Sequence, residues 1–587
     1  MTNASGPKKD RDLARFLPVL TWLPQYEKPW FRHDLLAAIT IAAFSIPNLM
    51  AFAQLAGLPP QFGLYAGIGA GIGYFFFGTI KRLIAGPSAA QAILVASVLM
   101  VLVGPYEDNP SKYLAMASMA AILTGIIFII ARAIKLGFIV NLIPIPVFKG
   151  FLAGIGFTII MSQLPKLFGV ESTQGDFFTR LFDLLGQLGD INFYTLGLGL
   201  ALMGLLFVMD WRFSKVPNTL IVVIISIFVM VFSDLASHGV EIVGDIPRGL
   251  PSPTLPDVSI DDIGNLLPLA IGLFILTFVE TTSIGRTLES RHSYKMDPDQ
   301  ELAALGTANI TSGLLQGFPV SGSFSRSFLN EHVGGKTQLV GLMSALMLAI
   351  VVAGFTGVFF NMPVVILAVL IIVAVHKMID FKDLHRIRMV SKNAFVVAIA
   401  SFAGVLVFGV LEGLLIGVVI SFFYVLYRIS APHMSILGRI PETNDFKDIA
   451  RNDECIIYPA VLIARFDAPL VFANSYTIKH KILDKVKEDR FVEMVVLDME
   501  TSPMLDVTAS DMLGELDTTL EQQNITFRLA NCSGEVRDML RASYSMKRVG
   551  HIKASTTVNQ IMDEWIEQGG KEPDDEEMRP SSKMVPE

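Results

Sequence analysis

From residue 35 to residue 430 the chain alternates long apolar runs with short polar connections, and beyond that point the pattern changes. Fourteen apolar segments are read in the first part, at 35–56, 62–78, 88–104, 113–134, 149–165, 193–210, 217–234, 265–287, 302–316, 323–332, 337–355, 360–378, 393–408 and 412–428. Runs of roughly 18 or more nearly uncharged residues cross about 30 Å of hydrocarbon as a helix. The pattern predicts an α-helical polytopic membrane protein. Segments 88–104 and 323–332 are too short to cross alone.

Residues 1–34 read as a polar N-terminal segment and 431–453 as a mixed polar linker. Within 454–569, "IIYPAVLIARF", "FVEMVVLDM" and "ITFRLA" read as strands, separated by amphipathic stretches such as "SYTIKHKILDKVKED". Strand alternating with helix predicts a small soluble α/β domain. Residues 570–587, with "EPDDEE", read as a disordered acidic tail.

Composition sharpens this picture. Hydrophobic residues make up 52% of the 587 and charged ones 17%, against about 25% charged in soluble chains. Lys and Arg sort by loop: Lys8, Lys9, Arg11 and Arg15 precede the first segment, and Lys81, Arg82, Arg132, Lys135, Arg212 and Lys215 follow even-numbered ones. Loops after odd segments are poor in them. Basic loops stay on the cytoplasmic side, so both termini are expected in the cytoplasm, with the segments crossing the plasma (inner) membrane. Residues 1–33 are polar and proline-broken, so no cleavable signal peptide is expected. Cys455 and Cys532 form no CxxC pattern and the nine histidines show no ligand spacing, so no metal site is expected. No nucleophile–base motif or phosphate loop is present, which argues against an enzyme, and nothing suggests a nucleic-acid partner.

The polar interruptions carry the candidate chemistry. "AGPSAAQA" (85–92) opens the third segment and "FPVSGSFSRS" (318–327) the tenth, each about 50 residues into its half of the membrane part. Matched interrupted segments in two halves point to a binding site between inverted repeats. A helix start leaves about four N–H groups unpartnered and roughly half a positive charge. Two such starts facing each other make an anion site from backbone alone. Ser88, Ser321, Ser323 and Ser325 add hydroxyls, and Arg326 adds a charge that is costly at membrane depth unless it faces water or an anion. The plainer alternative is that these small residues serve helix packing and that Arg326 sits at a membrane surface. Glu280, deep in the eighth segment, is either a proton or sodium site or an ion pair with Arg326; Ile284, four residues on, offers a metal no oxygen. Gly63, Gly67 and Gly71, with Gly69 and Gly73 beside them, read as a close-packing ridge.

Three stretches resemble the SulP family of anion transporters, to which solute carrier family 26 belongs. They are "IPNLMAFAQLAGLPPQFGLYAGIGAGIGYFFFGTIKR", "ELAALGTANITSGLLQGFPVSGSFSRSFLNEHVGGKTQLVGL" and, for its C-terminal STAS domain, "VVLDMETSPMLDVTASDML". The resemblance implies a 7+7 inverted repeat of 14 spans, split into a core (1–4 and 8–11) and a gate (5–7 and 12–14). The core would move past the gate like an elevator, in a homodimer. It places Ser88 and Ala89 on one half of the anion site and Ser323, Phe324, Ser325 and Arg326 on the other. Glu280 matches an acid used for cation coupling. Asn48 stands where glutamine is frequent, which leaves its contact with substrate open. Thr508 matches a phosphorylated position of anti-sigma factor antagonists, although Asp506 or Thr508 reads equally as a helix cap.

The resulting expectation is secondary active transport of a small inorganic or carboxylic anion, sulfate first, by proton-coupled symport without a cofactor. Sodium-coupled bicarbonate symport, C4-dicarboxylate symport and uncoupled exchange are the alternatives within the family. From another class, the chain could be a membrane-anchored scaffold that binds a cytoplasmic regulatory partner through STAS.

Overall fold

The computed structural model describes residues 17–141, 144–171, 176–212, 218–292, 294–376, 379–489, 491–543 and 556–570. The acidic tail from 571 onward and the basic residues Lys8, Lys9, Arg11, Arg15 and Lys215 lie outside them. Contacts divide the chain into two units, Met1–Ser421 and Phe422–Glu587.

Each of the fourteen apolar segments becomes a helix: α1 (Lys28–Leu55), α2 (Pro60–Phe77), α3 (Ala89–Leu102), α4 (Pro110–Ala133), α5 (Ile145–Phe168), α6 (Phe193–Arg212), α7 (Asn218–Phe232), α8 (Ile260–Arg291), α9 (Pro298–Leu314), α10 (Phe324–Val333), α11 (Leu339–Gly354), α12 (Val364–His376), α13 (Lys392–Phe408) and α14 (Val410–Ser430). Short amphipathic helices at Phe177–Gly186 and Phe381–Val390 were not anticipated. Among the described residues, seven segments are long and apolar enough to cross a bilayer, and α3, α7, α11 and α13 are shorter apolar helices. The helix α10 has only 10 residues. The break before α3 recurs seven helices later, before α10.

Two packed groups result. The helix α9 lies against α2 and α4, α11 against α1 and α2, and α8 against α3 and α4. The second group gathers α5, α6, α7, α12 and α13. The glycines of α2 permit the first. A Cβ at Gly63 would stand 1.9 Å from the Leu49 carbonyl oxygen, and one at Gly71 2.9 Å from that of Gly341. On the opposite side, a Cβ at Gly69 or Gly73 would meet the backbone of α9 at 2.6 Å. With no apolar transfer to drive association inside lipid, such close backbone approach is what holds helices together.

The interruptions themselves pair. Strand β1 (Ala85–Gly86) runs antiparallel to β2 (Ser321–Gly322), with Ala85 opposite Gly322 and Gly86 opposite Ser321. Backbone that leaves a helix inside a membrane must find partners in protein, and this two-residue ribbon supplies them. Each strand then turns into a helix, β1 into α3 and β2 into α10, so the two starts lie side by side.

In the second unit five strands order as β4-β3-β5-β6-β7: β3 (Met434–Arg439), β4 (Phe446–Asp448), β5 (Val461–Phe466), β6 (Met494–Asp498) and β7 (Thr526–Ala530). β5, β6 and β7 are parallel, and β3 joins β5 antiparallel. Helices α15 (Ser475–Glu488) and α16 (Val507–Glu521) bury Ile478, Ile482, Leu513 and Leu516 in the domain's hydrophobic core. Residues 431–453 are therefore not a linker. They contribute β3 and β4, whose Leu437 and Phe446 are buried with Ile463 and Val496.

Candidate functional site

Ser88 and Ser323 are the N-caps of α3 and α10, and both have extended backbone. Ser323 turns its hydroxyl onto its own helix, accepting from Arg326 N at 3.5 Å and lying 3.4 Å from Ser325 Oγ. Ser88 does not cap α3. Its hydroxyl instead donates to Gln91 Oε1. The first amides of α3 are thus left without a side-chain cap, and the positive end of the helix faces open space.

That space is a cavity of about 510 Å³, bounded by Asn48, Ser88, Ala89, Glu280, Ser323, Phe324 and Ser325 together with Phe44, Phe52 and Phe328. It extends to Lys149, Asp210, Asn218 and Asp380 at the helix ends of the second packed group. Lys149 is engaged there, 2.7 Å from Asp383 and 3.6 Å from Asp380. Two half-helix starts, four hydroxyl or amide side chains and four aromatic rings suit an anion that sheds part of its water.

Seven of the eight candidate residues border this one cavity. Arg326 does not. Its side chain runs behind the β1–β2 ribbon, where Nη2 donates to Pro87 O at 2.8 Å, and it is 2% exposed. Its guanidinium is therefore not part of the cavity lining. Asn48 borders the cavity but spends its amide on Phe44 O at 2.7 Å, in the turn where Pro47 sits within α1. No ion pair joins Glu280 to Arg326 among the described residues. Thr508 is exposed on the first turn of α16, and the cap is Asp506, which accepts from Ala509 N at 2.8 Å.

Glu280 is set by residues from both halves. Ser321 Oγ donates to its Oε2 at 3.0 Å, and Gln91 Nε2 donates to the same oxygen at 3.0 Å and to Thr277 Oγ1 at 3.2 Å. Next to it, Gly322 N donates to Thr281 Oγ1 at 3.0 Å, fixing the ribbon on α8. Gln91 and Thr277 were not singled out from the sequence. "SAAQ" has the S-x-x-Q form of a capping box, and that form hides the role Gln91 takes here.

Residues 31–401 match the sulfate permease family, and residues 454–558 match the STAS domain. The chain belongs to the sulfate permease family. A probable sulfate transporter of Mycobacterium tuberculosis is 33% identical over 92% of this chain and 96% of its own. High affinity sulfate transporter 2 of Stylosanthes hamata is 29% identical over 93% and 86%. The murine solute carrier 26 family member A9 anion transporter, solved in the inward-facing state, superposes with a TM-score of 0.87 over 96% of both chains at 24% identity. This sulfate permease family member is accordingly a multi-pass membrane anion transporter with a C-terminal STAS domain, and not an enzyme.

Proposed function

We propose that this chain carries sulfate across the plasma (inner) membrane together with a proton, by sliding α1–α4 and α8–α11 past α5–α7 and α12–α14. One observation carries the reading: the starts of α3 and α10 open on the same cavity beside a carboxylate that both halves hold. The anion rests on the free amides of the two helix starts, with Ser323 and Ser325 as hydroxyl donors and Arg326 as the charge behind them, while Ser88 spends its proton on Gln91. Phe324 and Phe44 shield it from water.

Glu280 supplies the coupling. A carboxylate beside a bound anion raises the cost of loading, and a proton on Glu280 removes it, so anion and proton load together. Proton is favoured over sodium because Oε2 is taken by two hydrogen-bond donors and the buried Ile284 offers no ligand. Both termini lie in the cytoplasm, two copies form the working unit, and the exposed Thr508 offers a regulatory partner a phosphorylation site on STAS.

The test is uptake of labelled sulfate, bicarbonate and fumarate into proteoliposomes under imposed proton or sodium gradients. Sulfate accumulation driven by an inward proton gradient supports the reading. Accumulation of bicarbonate or fumarate alone, or driving by sodium alone, overturns it in favour of the sodium-coupled or dicarboxylate alternative.

A further inference from the structure

Arg326 is only partly partnered. Its Nη2 reaches Pro87 O, but among the described residues its Nε finds no acceptor, and neither does the hydroxyl of Ser45 find a partner. Both residues are 2% exposed. An orphaned cationic N–H at that depth loses its hydration without replacement, so native structures rarely leave one.

Arg326 and Ser45 both line one small cavity of about 10 Å³, whose other walls include Ile84, Ala85, Gly341 and Ser344. A cavity of roughly 10–15 Å³ is the smallest that holds a single water, which needs two to four polar partners. We propose that this is a binding site for one water molecule, accepting from Arg326 Nε and shared between Ser45 on α1 and Ser344 on α11. The volume is too small for an oxyanion. The site shares no lining residue with the anion cavity, and it pins the guanidinium to two helices of the same packed group. Ser45 precedes Asn48 by less than one turn of α1, so the water also ties the cavity wall to the cation behind it.

Gly341 provides the test. Gly341 lines the cavity and a Cβ there would meet only Ile84 Cδ1, at 4.0 Å, so Gly341→Ala adds a methyl group at the wall of the site and touches none of its polar groups. Alanine is also the better helix former by about 1 kcal/mol, which guards against a trivial folding failure. Cryo-electron maps of the full chain, wild type and Gly341→Ala, are compared at a resolution that shows ordered waters elsewhere in the protein. The expected result is a peak within hydrogen-bond reach of both Arg326 Nε and Ser45 Oγ in the wild type, absent in the variant. A wild-type map without that peak, or with Arg326 Nε bonded directly to Ser45 or Ser344, overturns the proposal.

A second arm measures labelled sulfate uptake and rests on the transport reading above. Gly341→Ala is expected to raise KM on the order of tenfold with no fall in melting temperature, and an unchanged KM removes the link to the anion site. Wild-type protein that fails to take up sulfate counts against the transport reading, and the maps still decide the water.

Discussion

The guanidinium of Arg326, from the second half of the membrane unit, donates to the main-chain carbonyl of Pro87, from the first, over 2.8 Å. The contact sits where the β1–β2 ribbon turns into α3, so the cation clamps the two interruptions, and in the proposed binding mode it also charges the site from behind. Arg326→Gln keeps a polar side chain but removes the charge. A charge-assisted interaction is worth about 1.5–3 kcal/mol, so KM for sulfate uptake should rise at least about tenfold. Uptake kinetics in proteoliposomes check this. An unchanged KM would mean that the cation only holds the backbone.

Glu280 and Ser321 are 3.0 Å apart, and Gln91 donates to the same oxygen. In Glu280→Gln the amide oxygen can still accept both donors, so anion binding should stay close to wild type. The variant cannot take up a proton, and its uptake should no longer rise as the external pH falls. Initial rates across an external pH series measure this. A variant that keeps the wild-type pH slope would place coupling elsewhere.

Gly63 has no room for a side chain, since a Cβ would stand 1.9 Å from Leu49 O, a backbone atom that cannot give way. Gly63→Ala should cost about 1–3 kcal/mol or more through overpacking of α1 on α2. Gly197 on α6 has nothing within 4 Å of a built Cβ, and Gly197→Ala should be neutral or mildly stabilising. Thermal unfolding in one detergent compares the pair. Equal melting temperatures would contradict the packing role of the glycine ridge.

On STAS, Asp506 and not Thr508 caps α16, accepting from Ala509 N at 2.8 Å and from Phe472 N at 2.6 Å. Asp506→Ala should destabilise the domain by about 1 kcal/mol, while Thr508→Ala stays within about 0.5 kcal/mol of wild type. Denaturant unfolding of the full chain, followed on a STAS probe, separates them. The reverse order would make Thr508 the structural residue.

Apolar run length alone marks α1, α4 and α8, because a bilayer demands about 20 residues of helix. The matched breaks were legible for a related reason: Pro and Gly inside apolar sequence need an explanation that a soluble loop does not. The direction of Arg326 was not legible. Neighbours on a helix point about 100° apart at 3.6 residues per turn, and only the packing of α1 and α11 decides which of Ser325 and Arg326 meets the cavity. Gln91 was hidden inside a capping-box pattern that its side chain does not fulfil. β3 and β4 escaped notice because they are short and separated by the polar turn "PETND", so composition masked the alternating burial of Leu437 and Phe446.

In the proposed transport cycle the anion sits on the backbone of two half-helices. A structure of the full chain with selenate, an electron-dense analogue of sulfate, would locate it. The expected density lies within hydrogen-bond reach of the Ala89 or Ala90 amide on one side and the Phe324 or Ser325 amide on the other. Selenate bound only beside Lys149 at the helix ends, with nothing between Ser88 and Ser323, would contradict the claim.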